Sequence, residues 1–299
     1  MEIIKDTIKE NTVVALGNFD GLHRAHTEII NRTCAYAKKH GLLSCVLLFN
    51  THTNAVTASK DTKLLTDERE KLHILRDLGV DLVYIQDFDS DFMHISPNGF
   101  IDFLKNKLNV CAVSVGYDYR FGYKAEGDAD MLTELGKEYG IEVLVCNEIK
   151  CSNDTVKSTK IRELLEDGKI EYANDMLGRN YFIIGEVVKG LQNGRKLGIP
   201  TANIKYSPCK LLPKVGVYMG ITTIDEKAYI SMVNIGNNPT FGADKITVES
   251  HILDFEGDIY GKTVKCEFVN RIRDEKKFGS IDELKIQLEK DKLTVRERS

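Results

Sequence analysis

The sequence predicts a doubly wound α/β domain with a parallel sheet, followed by a domain of antiparallel strands that ends in one helix. In the first half, short apolar runs alternate with amphipathic stretches, as buried strands and their covering helices do. After about Gly178, turns instead of helices separate the strand-like segments, which is typical of an antiparallel barrel or sandwich. We therefore expect one domain over residues 1–180 and a second over residues 181–299.

The elements of the first half follow from periodicity and from helix-end signals. The apolar runs are rich in Val, Leu and Ile, which suits strands buried on both faces of a parallel sheet. Ser96 before Pro97 predicts a helix start, and Gly41, Gly79 and Gly140 each follow a predicted helix end. The predicted strands cover residues 12–17, 44–49, 81–85, 111–116 and 142–146, and the predicted helices cover residues 26–40, 67–78, 97–108 and 128–139.

The second half has the pattern of strands joined by turns. Residues 237–239 and 255–260 have the composition of turns. Ser280 and Glu283 form a capping-box signal for a closing helix. The predicted strands cover residues 181–188, 217–223, 229–236, 247–254 and 263–270.

The composition excludes several classes of protein. The 299 residues are 42% hydrophobic and 29% charged, as in soluble globular proteins, and a net charge of −4 argues against a nucleic-acid partner. No apolar run approaches the roughly 18–20 residues of a membrane span, and the first residues are too charged for a secretory signal. Seven scattered cysteines without a CxxC pair predict reduced thiols in a cytoplasmic protein, not a disulfide framework or a zinc site. No pattern indicates an oligomeric state.

Polar clusters follow the predicted strands of the first half. They occupy residues 17–26, 50–52, 116–122 and 158–162. In an open parallel sheet, ligands bind outside the carboxyl ends of the strands. The clusters are therefore expected to share one edge of the sheet, where a ligand binds.

Two phosphate-binding groups are expected at this edge. His23 and His26 are three residues apart at a predicted helix N-terminus, so they share a face that suits an anion. Ser158, Thr159 and the Arg162 guanidinium suit a second phosphate. Two such groups facing one crevice suit a nucleoside triphosphate, with electrostatic stabilisation of a transferring phosphoryl-type centre.

The motifs of this half resemble those of a known family. GNFDGLHRAH at residues 17–26 is similar to the nucleotidyltransferase signature GxFDGxHxGH, and STKIR at 158–162 is similar to that superfamily's motif SSTxIR. With VGYDYRFG at 115–122, they resemble the FMN adenylyltransferase module of prokaryotic bifunctional riboflavin kinase/FAD synthetases, a Rossmann-like domain. The resemblance implies that His23 and His26 stabilise the transition state at the ATP α-phosphate. It also implies that Ser158, Thr159 and Arg162 hold the β- and γ-phosphates, and that the further nucleotide- or flavin-binding residues are Gly17, Phe19, Asp20, Gly21, His52, Asp118 and Arg120.

Three features depart from the family pattern. Ala25 replaces the usual glycine between the histidines, and its methyl group is expected to crowd the nucleotide. Thr51 and Thr53 replace the prolines that flank His52, and Lys157 replaces the first serine of SSTxIR. These departures leave open a first half that binds nucleotide poorly or serves only as a scaffold.

The second half carries a glycine-rich segment and three candidate site residues. Residues 190–198 contain three glycines without a Walker A or protein-kinase pattern, so a phosphate-binding loop and a plain turn both remain open. Thr201 and Asn203 share a face if extended, and their neutral oxygens suit Mg²⁺ held together with substrate phosphates. Glu249 lies on a predicted strand, where a carboxylate can accept the proton of an attacking alcohol.

This half resembles the riboflavin kinase barrel over nearly its full length. The resemblance implies Mg²⁺ and nucleotide phosphates at Thr201 and Asn203, and Glu249 as the general base on the ribityl 5′-hydroxyl. His251, two residues on, is expected to be structural. The matching strings are GxxxGRxLGxPTAN, GVY, NIGxNPTF, VExHILDF and IRDEKKF, and the implied phosphate-facing loop residues are Gly190, Gly194, Arg195 and Gly198.

Together the halves predict an enzyme that phosphorylates riboflavin to FMN and adenylylates FMN to FAD. ATP is the co-substrate, Mg²⁺ the expected metal, and riboflavin, FMN, FAD and ATP the small-molecule partners; ligand type alone does not separate Mg²⁺ from Mn²⁺. The alternatives are a monofunctional riboflavin kinase with a degenerate first half, a non-catalytic flavin-binding regulator, and a nucleotidyltransferase with another acceptor. Intact Thr201, Asn203 and Glu249 argue against the regulator, and the kinase-like half argues against another acceptor.

Overall fold

The computed structural model describes residues 1–50, 63–190, 198–237 and 246–298. The chain divides into two compact units, Met1–Ser158 and Thr159–Ser299. Within the described ranges, no helix is long and apolar enough to cross a membrane. The domain boundary expected between residues 180 and 181 stays a prediction, since the two helices that precede residue 181 group with the second unit.

The first unit contains alternating strands and helices, as predicted. Its elements are β1 (Glu2–Ile4), β2 (Thr12–Ala15), α1 (Arg24–His40), β3 (Leu43–Phe49), α2 (Glu68–Asp77), β4 (Leu82–Gln86), α3 (Ser90–Met93), α4 (Pro97–Leu108), β5 (Val110–Gly116), β6 (Arg120–Phe121), β7 (Gly127–Asp128), α5 (Ala129–Tyr139), β8 (Glu142–Cys146), β9 (Lys150–Cys151) and β10 (Asp154–Thr155).

Six of these strands form one sheet in the order β1-β4-β3-β2-β5-β8, and every neighbouring pair is parallel. This confirms the predicted doubly wound α/β fold. The strand order reverses direction at β2, because β3, β4 and β1 lie on one side of it and β5 and β8 on the other. The crevice beyond β2 and β5 is therefore the switch point where such sheets bind ligands.

The helices of this unit begin and end at the predicted signals. The Ser96 hydroxyl accepts a hydrogen bond from the Gly99 amide at the start of α4, with Pro97 at the first helical position. Gly41 and Gly140 adopt left-handed φ angles of 68° and 66° at the ends of α1 and α5. These caps fix where each helix stops and the next buried strand begins.

The second unit begins with two helices and continues as strands. Its elements are α6 (Ser158–Glu166, whose first residue belongs to the first unit), α7 (Ile170–Leu177), β11 (Tyr181–Val188), β12 (Ala202–Lys205), β13 (Gly216–Ile224), β14 (Lys227–Asn237), β15 (Ile246–Ile252), β16 (Thr263–Arg273) and α8 (Ile281–Glu297).

The strands of this unit close into a barrel in the order β11-β12-β15-β14-β13-β16, with antiparallel neighbours throughout. The barrel, not the sandwich, is therefore the correct one of the two architectures predicted. The closing helix α8 is attached to β16 by an ion pair between Arg273 and the buried Asp291, with Nη2 and Oδ2 2.7 Å apart. The Ser280 hydroxyl accepts from the Glu283 amide at the predicted start of α8.

Candidate active sites

A cavity of about 800 Å³ opens in the first unit at the carboxyl ends of β2, β5 and β8. Its wall includes Gly17 after β2, Gly116 at the end of β5 and Cys146 at the end of β8. His23 and Ala25 bring the start of α1 to the same wall. The cavity thus occupies the crevice where a doubly wound sheet binds its ligand.

Two stacked histidines mark the start of α1. The His23 and His26 rings lie 3.7 Å apart between centroids and are tilted by only 12°. His23 is 4% exposed and caps the helix, because its Nδ1 accepts from the His26 amide at 3.4 Å. An accepting Nδ1 carries no proton, so the proton of neutral His23 is on Nε2. The pair therefore adds an imidazole donor to a helix N-terminus that already favours anions.

The loop that delivers the histidines is held by backbone contacts. Phe19 is buried with a φ of 48°, and a Cβ at Gly17 would lie 3.2 Å from its ring. One Asp20 carboxylate oxygen accepts from the Leu65 and Thr66 amides, at 3.0 and 3.2 Å. Phe19, Asp20 and the adjacent Gly21 are not part of the cavity wall, so they shape the pocket by fixing its loop.

Ser158, the last residue of the first unit, contacts this loop. Its hydroxyl donates to the Asp20 carbonyl oxygen at 2.8 Å, and the residue lines the cavity. Thr159 and Arg162 follow on the same helix but belong to the second unit, so their expected phosphate contacts stay predictions. His52 lies outside the described residues.

Three charged residues on the cavity wall form ion pairs. The Lys157 ammonium lies 3.9 Å from an Asp118 carboxylate oxygen, and both side chains are more than half exposed. Arg120 lies 3.5 Å from Asp128, the N-cap residue of α5. Asp118, Arg120 and Lys157 all line the cavity. The lysine that departs from the family motif therefore belongs to the pocket.

The cavity also has an aromatic wall, to which the predicted cluster at residues 116–122 contributes rings and other segments contribute phenylalanines. Tyr119 and Phe121 stack with a centroid distance of 6.0 Å, and burial raises the pKa of Tyr119, which keeps its phenol neutral. Phe49 packs against Phe88 and Phe92 at 5.3 and 5.5 Å. All five rings line the cavity, so its surface combines anion-binding groups with aromatic rings.

A second cavity of about 330 Å³ lies at the edge of the barrel in the second unit. Strands β12 and β15 pair so that Asn203 lies opposite Glu249. The Thr201 hydroxyl donates to a Glu249 carboxylate oxygen at 3.0 Å. Thr201 and Asn203 line the cavity, so the structure brings together all three residues that the sequence analysis selected.

Gly190 lies directly against Asn203. A Cβ at Gly190 would approach the Asn203 amide nitrogen to 2.3 Å, so any other residue there displaces Asn203. Gly198 adopts a left-handed φ of 78°, which favours glycine. Gly194 and Arg195 lie outside the described residues, as do residues 238–241 of the NIGxNPTF string.

His251, which the sequence predicts to be structural, contacts the chain segment that enters this site. His251 lies on β15 and is 7% exposed, and its Nδ1 lies 2.8 Å from the Pro200 carbonyl oxygen. Burial lowers the pKa of His251 and favours the neutral ring. His251 thus contacts the residue that precedes Thr201.

The oxygen donors of the second cavity fit a hard divalent cation. The hydroxyl oxygen of Thr201 and the amide oxygen of Asn203 suit Mg²⁺ when phosphate oxygens complete its shell. In the described ranges there is no group of three His, Cys, Asp or Glu side chains placed to hold a metal ion.

Comparison with known proteins identifies the family of both halves. The FAD synthetase family model matches residues 5–160, and the riboflavin kinase model matches residues 177–299. A bifunctional riboflavin kinase/FMN adenylyltransferase from Listeria monocytogenes is 36% identical over 291 residues, covering 96% of this chain and 92% of that protein. The protein of the same name from Escherichia coli K12 is 36% identical over 292 residues, covering 97% and 93%.

A solved structure named a macrolide-efflux protein from Streptococcus pneumoniae is also similar. It is 30% identical, covers 98% of both chains and superposes with a TM-score of 0.87. The fold of the whole chain is therefore shared with that protein. From the two domain models and the near-full-length relatives, we conclude that the chain belongs to the family of bifunctional riboflavin kinases/FMN adenylyltransferases.

Proposed function

We propose that the barrel phosphorylates riboflavin to FMN and that the cavity of the first unit adenylylates FMN to FAD. The observation that carries this proposal is that each half matches its own family model and holds an assembled polar site. A monofunctional kinase with a degenerate first half is disfavoured, because the FAD synthetase match extends over residues 5–160. ATP is the co-substrate of both reactions, and we assign Mg²⁺ and a cytoplasmic location as parts of the proposal.

For adenylyl transfer, an oxygen of the FMN phosphate attacks the α-phosphorus of ATP. The bond from that phosphorus to the bridging oxygen breaks, and pyrophosphate leaves. The His23 Nε2–H, His26 and the N-terminus of α1 stabilise the charge that grows on the α-phosphate oxygens. Ser158, Thr159 and Arg162 hold the β- and γ-phosphates in this proposal, as the family motif implies.

The rest of the first cavity suits the flavin. Tyr119, Phe121 and the phenylalanines beside them present apolar rings on which a planar isoalloxazine can stack. Arg120 and Lys157 bring positive charge to the same wall, which suits the FMN phosphate. We therefore assign binding roles to Asp118, Arg120 and Lys157 as the polar part of the wall.

For riboflavin phosphorylation, Glu249 takes the proton of the ribityl 5′-hydroxyl as its oxygen attacks the γ-phosphorus, and ADP leaves. The Thr201 hydroxyl donates a hydrogen bond to Glu249, so the lone pairs of the hydroxyl oxygen are available to a cation. Thr201 and Asn203 are the residues that would hold Mg²⁺ with the nucleotide phosphates. Gly190 has no side chain and therefore leaves room for the Asn203 side chain. When bound, Mg²⁺ neutralises the charge of the transferring phosphoryl group.

Product chromatography tests the proposal. We expect purified protein with riboflavin, ATP and Mg²⁺ to form FMN and then FAD, and a His26→Ala variant to stop at FMN. A wild-type protein that stops at FMN would instead support the monofunctional kinase. Absence of any flavin phosphate would contradict the kinase assignment, and a parallel reaction supplied with FMN then tests FAD formation by itself. A parallel titration with Mn²⁺ identifies the preferred metal.

A further inference from the structure

His251 is a buried histidine beside the kinase site that the mechanism above does not use. Its Nδ1 lies 2.8 Å from the Pro200 carbonyl oxygen. A carbonyl oxygen can only accept a hydrogen bond, so Nδ1 carries the proton and donates it. The imidazole is therefore fixed in one tautomer by a contact with the chain segment that enters the site.

Three consecutive residues of this segment are held by different partners. Ile199 is buried in a cluster with Leu253 and with Val295 of α8. Pro200 offers its carbonyl oxygen to His251, and Thr201 donates its hydroxyl to Glu249. The segment is thus anchored immediately before and at the residue that faces the cavity.

The two polar partners lie on the same strand. Glu249 and His251 are two residues apart on β15, so their side chains point to the same face. A peptide unit is planar, so fixing the Pro200 carbonyl also fixes the orientation of the Thr201 amide nitrogen and Cα. Proline has no N–H, so its carbonyl oxygen is the backbone polar group of residue 200 that can form a hydrogen bond.

We propose that His251 is a positioning residue for riboflavin phosphorylation: by binding the Pro200 carbonyl, it keeps the Thr201 hydroxyl in place toward Glu249 and the phosphate site. This inference rests on the proposed kinase function of the barrel. A positioning error of about 1 Å in such a site costs on the order of 10²-fold in rate. Loss of the histidine donor should therefore affect catalysis and metal use, beyond any effect on folding.

The test compares two amide substitutions of similar polarity. His251→Asn places its amide nitrogen near the position of Nδ1 and can still donate to Pro200. His251→Gln places its amide one bond further out and loses this geometry. We measure kcat and the Mg²⁺ concentration at half-maximal rate for FMN formation, FAD formation from supplied FMN, and the melting temperature.

We expect His251→Gln to lower kcat for FMN formation about 10- to 100-fold and to raise the Mg²⁺ requirement, with His251→Asn within about 3-fold of wild type. FAD formation from FMN should not change in either variant. Val264→Ala is the stability control, because it trims the barrel core on β16, a strand that pairs with neither β12 nor β15. It should lower the melting temperature and leave the Mg²⁺ requirement unchanged.

The outcomes separate this inference from the function on which it rests. If wild-type protein forms no FMN, the proposed kinase function fails. If wild type is active and His251→Asn and His251→Gln are equally active, or equally impaired, donation to Pro200 does not position Thr201 and the inference is overturned. A Gln variant that only loses thermal stability, as Val264→Ala does, also overturns it.

Discussion

The two sites are assembled in different ways. In the first unit, the anchors are contacts to the backbone: Asp20 accepts from two amides, and Ser158 donates to a carbonyl oxygen. In the second unit, neighbouring strands place side chain against side chain, with Thr201 donating to Glu249. Loop conformation therefore determines the first site, while strand register determines the second.

This contrast has a consequence for substitutions. The proposed kinase site has a small cavity of about 330 Å³ with a few convergent oxygens, so each of its residues should matter greatly. The cavity proposed for adenylyl transfer is about 800 Å³ and its charged side chains are exposed, so single contacts on its wall should matter less. Substitutions of the two histidines at the start of α1 should matter more, because the helix cap and the ring stacking fix their positions.

The largest effect is expected at Glu249. Glu249→Gln keeps the shape but removes the proton acceptor, so FMN formation should fall about 10²- to 10⁴-fold. Chromatography of FMN in samples quenched at fixed times measures the loss of activity. Glu256→Gln, at an exposed position of the same unit, is the matched control and should retain wild-type activity. A Glu249→Gln variant within a few-fold of wild type would remove Glu249 from the mechanism.

Replacement of His23 should lower the rate of FAD formation about 10²- to 10³-fold, because the substitution removes one hydrogen-bond donor to the transition state. Asn is a good N-cap and Ala is not, so His23→Asn should preserve the helix start while His23→Ala loses about 0.5–2 kcal/mol of stability. Rates of pyrophosphate release and denaturant melts measure the two effects. Equal stability of the two variants would contradict the capping role of His23. Full activity of His23→Asn would contradict its catalytic role.

A loss of about 10- to 100-fold in FMN formation is expected for Gly190→Ala, because the new methyl group would displace Asn203 and misplace its oxygen. The apparent Mg²⁺ affinity should fall in parallel. Gly279→Ala is the control, since a Cβ there makes only an ordinary contact of 3.4 Å. If Gly190→Ala has the activity of Gly279→Ala, the position of Asn203 is not critical.

The smallest effect is expected at Lys157. Its pair with Asp118 is exposed and 3.9 Å long, and exposed pairs contribute about 0–1 kcal/mol, so Lys157→Ser should change KM for FMN or ATP less than about 5-fold. Lys150→Ser, which removes the exposed pair with Glu148, is the control. A rise in KM above tenfold in Lys157→Ser but not in Lys150→Ser would show that Lys157, which replaces a serine of the family motif, is essential for substrate binding.

Periodicity and end signals were sufficient to predict most of the fold. Long buried strands such as β3 and β5 are continuous apolar runs, and their positions were confirmed. β1 and β12 were missed because they are short and lack the continuous buried apolar run that identified the equally short β2. Their place is determined by pairing with distant strands instead.

The site could be predicted only where its residues are close in sequence. The spacing of His23 and His26 at a helix start already indicated that they share a face, and the structure stacks them. The contact between Thr201 and Glu249 depends on the register of β12 against β15, and no local pattern encodes a pairing over 48 positions. The phenylalanines of the aromatic wall were missed for the same reason, since Phe49 and Phe88 come from separate segments.

The most direct test of two independent sites is FAD formation by the Glu249→Gln variant supplied with ATP, Mg²⁺ and either riboflavin or FMN. We predict FAD from FMN at the wild-type rate and almost none from riboflavin, because the kinase base is lost while the first cavity is untouched. Loss of FAD formation from both substrates would contradict the assignment of the two reactions to separate halves. FAD formed from riboflavin at the wild-type rate would contradict the kinase site itself.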